Sequence, residues 1–184
     1  SQASQLPVTH SVLKWLAAEL KKGAPPWWKA VLRAWDKRKF VAWNEAWSLL
    51  LTAMHFEALN DAKSPLVPYF PSCGGTADAD PSPALAKFMA NPPQQFFDNL
   101  KNGHRRTFVS ARALLWTAPA MLFFQRRKMP FYLVEANAGA GLNLAADQLM
   151  TVEAFDDELV TARVGLDPKP LDMDDLLDKR WLTA

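Results

Sequence analysis

The chain has 184 residues, of which 49% are hydrophobic and 8 are tryptophan. This composition can bury a sizeable core in one compact domain or slightly more, so it excludes a disordered protein. The single cysteine, Cys73, excludes an internal disulfide and a multi-cysteine metal cluster, and it suits the reducing cytoplasm, which is the predicted location.

The net charge of +2 hides an asymmetry along the chain. Residues 1–130 carry 17 basic and 8 acidic side chains, whereas residues 131–184 carry 4 and 11, so the two parts have charges of about +9 and −7. Opposite charges on consecutive segments favour docking between them or separate roles. Because the basic residues are dispersed, mostly near predicted helix ends, nucleic acid is disfavoured as a partner. No apolar run reaches about 18 residues, so no membrane span is predicted.

The first part of the chain predicts a bundle of helices. Thr9 or Ser11 is the candidate cap of a first helix that Gly23 ends. A second helix is predicted to begin at Pro26. Apolar residues at helical spacing form its predicted buried face: Trp28, Val31, Leu32 and Trp35.

Further elements follow from periodicity and from the positions of proline and glycine. Residues 64–83 contain five prolines and a Gly-Gly pair, which predicts an irregular loop. Pro119 should kink or break a mostly apolar helix that belongs in the middle of the protein. The remaining predicted elements are helices over residues 40–59, 84–90, 93–101, 107–127, 142–150 and 172–178, and a strand over residues 131–135.

The most informative segment is an apolar run that ends on Glu135 and is followed by two spaced glycines. This order predicts a strand, a tight turn and a helix. Gly139 and Gly141 let the backbone turn sharply and approach a ligand, and Asn137 belongs to the side chains that best tolerate the left-handed region. A structural alternative, in which the glycines only turn the chain into a helix, stays open.

The spacing Glu135-x-Asn137-x-Gly139-x-Gly141 resembles the first motif of S-adenosylmethionine-dependent methyltransferases, which hold a cationic cofactor. Asn137 stands where a glycine is usual. The resemblance implies S-adenosylmethionine as the cofactor, lined by these four residues and by Asn143 from the start of the next helix.

An acid at the end of the second strand is then expected to hold the ribose hydroxyls, about 20 residues further on. Asp156, Asp157 and Glu158 lie near that distance from Gly141, and the choice among them is open. A solvated turn or helix start is the favoured interpretation of this cluster, because runs of charge usually face water.

Residues 65–76 have the sequence PLVPYFPSCGGT, Asp147 follows the glycine motif, and residues 163–168 have the sequence RVGLDP. In these stretches, and as far as Trp181 and Leu182, the chain resembles a bacterial family known as domain of unknown function 2332. The resemblance implies a helical N-terminal region joined to a methyltransferase-like Rossmann core. Members of the family continue past the point that corresponds to Ala184, so we expect the chain to be truncated within that core.

Histidine and cysteine show no spacing typical of a metal site. His10, His55 and His104 are far apart in the sequence, so no metal is predicted. His55 falls on an apolar helix, where a hydrogen-bonded core side chain is favoured over a catalytic base. Cys73 lies before two glycines without a neighbouring base, which disfavours a nucleophile.

The predicted fold class is mainly α with a small α/β part. A helical region over residues 1–128 precedes the first βα unit of a truncated Rossmann-like, methyltransferase-like domain over residues 129–184. Two functions are compatible with this fold: a methyltransferase-like protein that uses S-adenosylmethionine, and a non-catalytic helical interaction module in which the glycine motif is a structural turn. A strand left unpaired would favour a homodimer through its edge.

Overall fold

The computed structural model describes residues 6–76, 79–104, 112–146 and 160–184. The chain divides into two compact units, one of Ser1–Arg105 with Thr183–Ala184 and one of Arg106–Leu182. The predicted domain boundary after residue 128 remains a prediction. The described residues form a mainly helical protein, as the sequence predicts, and they include a small two-stranded parallel sheet.

The first unit is built from five α-helices among its described residues. They are α1 (Leu6–Lys21), α2 (Pro26–Trp35), α3 (Trp43–Asn60), α4 (Ser82–Ala90) and α5 (Gln94–Asn102). Helix α5 packs against α2 and α3, and α1 packs against α4. Large side chains from several helices are fully buried at this centre, including Leu16, Val31, Leu50, Met54 and Phe96. Burial of these apolar surfaces is the main favourable contribution to folding.

Two details of the first unit differ from the sequence prediction. Helix α1 begins at Leu6, so Thr9 and Ser11 lie inside it and are not its cap. The backbone N–H groups of a first helical turn have no partner within the helix, so a proline there removes no hydrogen bond. Pro7 is therefore compatible with a helix that begins at Leu6. Leu32 is 49% exposed, because the buried face of α2 is narrower than predicted and contains Val31 and Trp35.

The loop over residues 64–83 contains two single-turn 3₁₀ helices, Val67–Tyr69 and Pro71–Cys73. Gly75 lies where a Cβ would be 2.2 Å from the backbone oxygen of Pro68. Only glycine allows this approach, so the turn around residues 68–76 is tightly packed. The prolines therefore restrict the loop to a defined backbone conformation.

The second unit contains helix α6 (Arg112–Arg127), strands β1 (Phe131–Ala136) and β2 (Val160–Leu166), and most of helix α7 (Leu176–Thr183). Pro119 lies inside α6 without breaking it. Proline frees the carbonyl four residues earlier, on Leu115, which is exposed and can bind water instead. Contrary to prediction, the described side chains of α6, from Leu115 onward, bury only one side, with Ala120 and Phe124 in the core.

Strands β1 and β2 pair in parallel, with Val134 opposite Val164 and Glu135 opposite Gly165. The strand predicted over residues 131–135 is confirmed, whereas β2 was not predicted. Successive side chains alternate between the two faces of a strand. One face packs on Ala120 and Phe124 of α6, and the other carries exposed apolar side chains: Tyr132, Val134, Val164 and Leu166.

Candidate functional site

The loop after β1 contains three residues with positive φ angles. Asn137, Gly139 and Gly141 have φ angles of 62°, 60° and 72°. Glycine adopts these angles without a Cβ clash, and asparagine tolerates them better than most side chains. The residue types in the motif therefore match the backbone that the loop requires.

Hydrogen bonds tie this loop to the end of β2. The backbone N–H groups of Asn137 and Ala138 donate to the oxygen of Leu166 at 2.7 and 3.3 Å. Asp167 follows β2 directly, and its Oδ2 accepts from the N–H of Gly139 at 2.8 Å. Its Oδ1 accepts from the N–H of Lys169, also at 2.8 Å. The carboxylate of Asp167 therefore holds the glycine loop against the end of the second strand.

Glu135 and Asn143 form the polar centre of the loop. Asn143 Nδ2 donates to Glu135 Oε1 at 2.9 Å. The other oxygens of the pair, Glu135 Oε2 and Asn143 Oδ1, are buried and accept no hydrogen bond from the residues that the structure describes. A buried acceptor without a donor costs about 1–3 kcal/mol, so two adjacent ones indicate a place for donor groups of a ligand or of water.

The rear of the loop contacts an aromatic side chain of α6. Trp116 Nε1 donates to the backbone oxygen of Asn143 at 3.0 Å. Trp116 also lines an apolar cavity of about 370 Å³ formed by residues of α6 and of both strands. Its other lining residues include Phe123, Phe131 and Tyr132. One side chain thus joins the polar loop to an aromatic cavity of a size typical of small-molecule sites.

Gly165 lets β2 approach the loop closely. A Cβ on Gly165 would lie 3.0 Å from the Cβ of Ala138 and 3.2 Å from Cδ1 of Leu144. Arg163, two residues earlier, donates from Nε to the backbone oxygen of Leu144 at 2.8 Å. Strand β2 therefore supports the loop with a small residue and a charged one.

All five predicted cofactor residues lie in this loop or at its ends, and their role as ligands remains a prediction. Of the helix predicted over residues 142–150, only residues 142–146 are described, and residues 142–145 form turns, in which Leu144 and Ala145 donate to the oxygen of Gly141 at 3.0 and 3.3 Å. Four acids named in the sequence analysis lie outside the described residues: Asp147, Asp156, Asp157 and Glu158.

Sequence reasoning missed Asp167 as a site residue. It placed the acid after the second strand near residues 156–158, because β2 itself was not recognised. Arg163 and Gly165 interrupt the apolar pattern of β2, so periodicity did not mark it. The available signal was the sequence Leu166-Asp167-Pro168, an acid and a proline directly after a β-branched segment.

The first unit contains other polar residues that the sequence analysis considered. His55 is 2% exposed and hydrogen-bonded, as expected for a core histidine. Cys73 is a free thiol whose pKa is raised, chiefly by burial.

In the described parts of the chain no group of three or more His, Cys, Asp or Glu side chains could hold a metal ion. The helices within those parts are also too short or too polar to cross a membrane.

Residues 1–154 match the family described as "uncharacterized protein conserved in bacteria (DUF2332)". The chain belongs to this family, so the family resemblance seen in the sequence is confirmed. The match includes the helical N-terminal region and the glycine loop, and it ends before β2. No curated protein and no solved structure matches the chain.

Proposed function

We propose that this protein binds S-adenosylmethionine at the loop formed by residues 135–143 and is a methyltransferase-like protein. One observation carries the proposal: Glu135 and Asn143 present two buried acceptor oxygens without donors among the described residues, beside a glycine loop at the end of a parallel strand. Such oxygens suit an ammonium group, which offers three N–H donors and a compensating charge. The cofactor would supply an electrophilic methyl group when it is bound.

The hydrogen bonds of the loop favour a cationic ligand over a phosphate. A phosphate-binding glycine loop presents free N–H groups to the anion. Here the N–H of Gly139 donates to Asp167, and that of Gly141 donates to the oxygen of Ala138 at 2.8 Å. The Glu135 carboxylate would in addition repel an anion at short distance. We therefore infer a cofactor of the S-adenosylmethionine type and not a dinucleotide.

The surrounding architecture supports a Rossmann-like reading of the second unit. Ligands of open parallel sheets bind beyond the carboxyl ends of the strands, where the loop and Asp167 lie next to one another. In the proposed site Asp167 is the acid that follows the second strand. A carboxylate has about four acceptor positions, so it can accept from ribose hydroxyls as well as from backbone N–H groups.

The second candidate is a non-catalytic interaction module. Its support is that Asp167 and Ala138 already satisfy the loop amides of Gly139 and Gly141, as in a purely structural turn. The exposed apolar face of the sheet would then be the functional surface. This candidate predicts that no nucleoside ligand binds to the loop.

Calorimetric titration with S-adenosylhomocysteine, which keeps the ammonium group and the ribose, separates the two candidates. We expect a dissociation constant of about micromolar size. Glu135→Gln should weaken binding at least about tenfold, because it removes the negative charge while keeping the shape. The matched control is Glu57→Gln, which changes a buried acid of the first unit and should bind as the native protein does.

Gly141→Val tests the backbone of the loop, because a β-branched residue is strained at a φ of 72°. We expect it to abolish binding. NAD, titrated in parallel, should give no heat. Absence of S-adenosylhomocysteine binding to protein that is folded by circular dichroism would reject the methyltransferase-like function and leave the interaction module.

A further inference from the structure

Ser72 and His55 form a hydrogen-bonded pair in the first unit, whereas the glycine loop belongs to the second. Ser72 lies in the 3₁₀ turn Pro71–Cys73, and its Oγ is 2.5 Å from Nε2 of His55 in α3. The serine is exposed, whereas the histidine is buried. A hydroxyl that faces water is therefore bonded to an imidazole that does not.

The second nitrogen of His55 determines which atoms carry the protons. Nδ1 lies 2.9 Å from the backbone oxygen of Ala184, which belongs to the same unit. This oxygen can only accept, so Nδ1 carries the hydrogen and Nε2 presents a lone pair. The Ser72 hydroxyl must then donate to Nε2. This is the arrangement that activates a serine nucleophile: the hydroxyl donates to a base whose far nitrogen is held by an acceptor.

Packing fixes the orientation of the imidazole. The rings of His55 and Phe70 stack with centroids 4.3 Å apart and planes inclined by 10°. Burial lowers the pKa of His55, and the bond to the Ala184 oxygen opposes this only in part. The ring is therefore neutral near pH 7 and able to accept a proton.

We propose that Ser72 is a nucleophile and His55 its general base in a second site, which hydrolyses esters of small carboxylic acids. This proposal is independent of the function of the glycine loop. Ser72 Oγ attacks the carbonyl carbon of the ester, and its proton moves to His55 Nε2. The proton then passes to the leaving alkoxide as the ester C–O bond breaks, which releases the alcohol and leaves an acyl-serine. Water attacks this ester with proton transfer through Nε2, so that the acid leaves and Ser72 regains its proton.

His55 also lines a cavity of about 190 Å³, and in the proposed site the acyl group occupies this cavity. It combines apolar side chains with hydroxyls: Val8, Leu51 and Phe70 with Thr9, Ser48 and Thr52. This volume, which is smaller than the 370 Å³ of the cavity beside Trp116, favours an acetyl or similar short chain over a fatty acyl chain. The site is therefore assigned to short-chain esters.

The turn also leaves a donor for the oxyanion that forms during attack. The N–H groups of Cys73, Gly74 and Gly75 donate to backbone oxygens within the turn. In contrast, the N–H of Ser72 donates to no atom of the residues that the structure describes. A backbone N–H on the nucleophile itself is a position from which an oxyanion can be stabilised.

Labelling with an alkyl fluorophosphonate tests the nucleophile directly. Attack by an activated serine forms an O–P bond and expels fluoride, so we expect one adduct per chain on the peptide that contains Ser72. Ser72→Ala should lose the adduct. Ser82→Ala is the matched control, since its hydroxyl donates to Asp80 and has no basic nitrogen beside it. It should be labelled as the native protein is.

Two further variants separate the base from a structural neighbour. His55→Gln should slow labelling at least about 100-fold, as expected for loss of a general base. Cys73→Ala should not change it, although its Sγ lies 4.0 Å from Ser72 Oγ. If His55→Gln does not fold, the loss of the adduct in Ser72→Ala still tests whether Ser72 is the nucleophile. Absence of an adduct on the folded native protein, or an adduct that persists in Ser72→Ala, would overturn the proposal.

Hydrolysis of p-nitrophenyl esters tests the substrate class. The native protein should hydrolyse the acetate faster than the decanoate, and Ser72→Ala should lower the acetate rate by about 100-fold or to background. An equal rate in Ser72→Ala would contradict the proposal, and faster cleavage of the decanoate would contradict the assignment to short chains.

Discussion

Glu57 is a buried acid of α3, two residues after His55. Its side chain is 3% exposed, and Oε1 has no hydrogen-bond partner among the described residues. Burial, and then the negative charge of Asp61 one helical turn later, raise its pKa to about 7. Both causes disfavour the carboxylate, so the folded protein holds this proton more tightly than the unfolded chain does.

This proton makes stability fall as the pH rises. An unfolded Glu loses its proton near pH 4.3, whereas the folded pKa is about 7, so between these values the folded state binds more protons. We expect the free energy of unfolding to fall by about 1–3 kcal/mol from pH 5 to pH 8. Glu57→Gln should remove most of this fall. Urea unfolding at several pH values measures it.

The control for this prediction is Glu19→Gln, which changes an acid that pairs with Lys22 at the surface. Surface pairs contribute little to stability, so its pH profile should follow the native one. If the free energy of unfolding of the Glu57→Gln variant fell with pH as much as that of the native protein, another group would cause the pH dependence.

At the residue scale, the sequence predicts backbone conformations that the residue type alone determines. Asn137, Gly139 and Gly141 are residue types for left-handed backbone, and the loop has that backbone. Asp167 could not be found in this way, because its importance depends on a strand that had not been recognised. The Ser72–His55 pair joins a loop to a helix, and no local pattern encodes such a contact.

At the scale of elements, Arg38 joins the end of α2 to the end of α5. Its Nη1 donates to the oxygens of Leu100 and Lys101 at 3.1 and 3.0 Å, and its Nη2 donates to Gly103 at 2.8 Å. The last carbonyls of a helix have no partner within the helix. One guanidinium therefore caps α5 from a different part of the chain.

Lysine cannot reproduce this fork of donors. We expect Arg38→Lys to lower the free energy of unfolding by about 1 kcal/mol, a value that allows for partial exposure of the site. Arg33→Lys, on an exposed part of α2, serves as the control and should have little effect. Equal stability of the two variants in urea unfolding would contradict a capping role for Arg38.

The sheet presents an apolar face to solvent in the second unit. Tyr132 and Val134 are 76% and 61% exposed, and Val164 lies beside Val134 on the paired strand. Parallel sheets usually have both faces covered. Because β1 pairs with β2, the condition of an unpaired strand is not met, and this face is the reason to expect self-association.

We therefore expect the sedimentation coefficient of the native protein to rise with concentration. The double variant Val134→Thr with Val164→Thr should reduce this rise, since threonine keeps the preference for strands and removes apolar area. Val41→Thr is the matched control, because Val41 is exposed as a single side chain outside the sheet. A native protein that sediments as a monomer at all concentrations would contradict this prediction.

The helical elements could be predicted because proline and glycine punctuate the first part of the chain. Pro26 begins α2 as expected, and Gly23 follows the end of α1 with a φ of 123°. Strand β2 could not be predicted, because Gly165 and Arg163 interrupt the alternation of side chains that marks a strand. Gly165 allows close packing against the loop, and Arg163 donates a hydrogen bond to it. Local signals thus identify the elements whose ends they mark, and tertiary contacts decide the others.

At the scale of the whole molecule, the chain contains two compact units with separate hydrophobic cores. The core of the first includes Leu50, Met54 and Phe96, whereas that of the second includes Phe124 and Val160. Cores of this kind commonly define cooperative units that open with their own free energies. Each unit should therefore have its own stability.

Native-state hydrogen exchange with mass spectrometry can measure these two stabilities. We expect the amides of α3 and α5 to share one opening free energy, and those of β1 and β2 to share another. Glu57→Gln at about pH 8 should slow exchange in α3 and α5, since it removes the cost of a buried carboxylate there, and leave the strands unchanged. Equal changes in both sets of amides would show that the whole chain opens as one cooperative unit, in which case the pH dependence of Glu57 would govern the stability of the glycine loop as well.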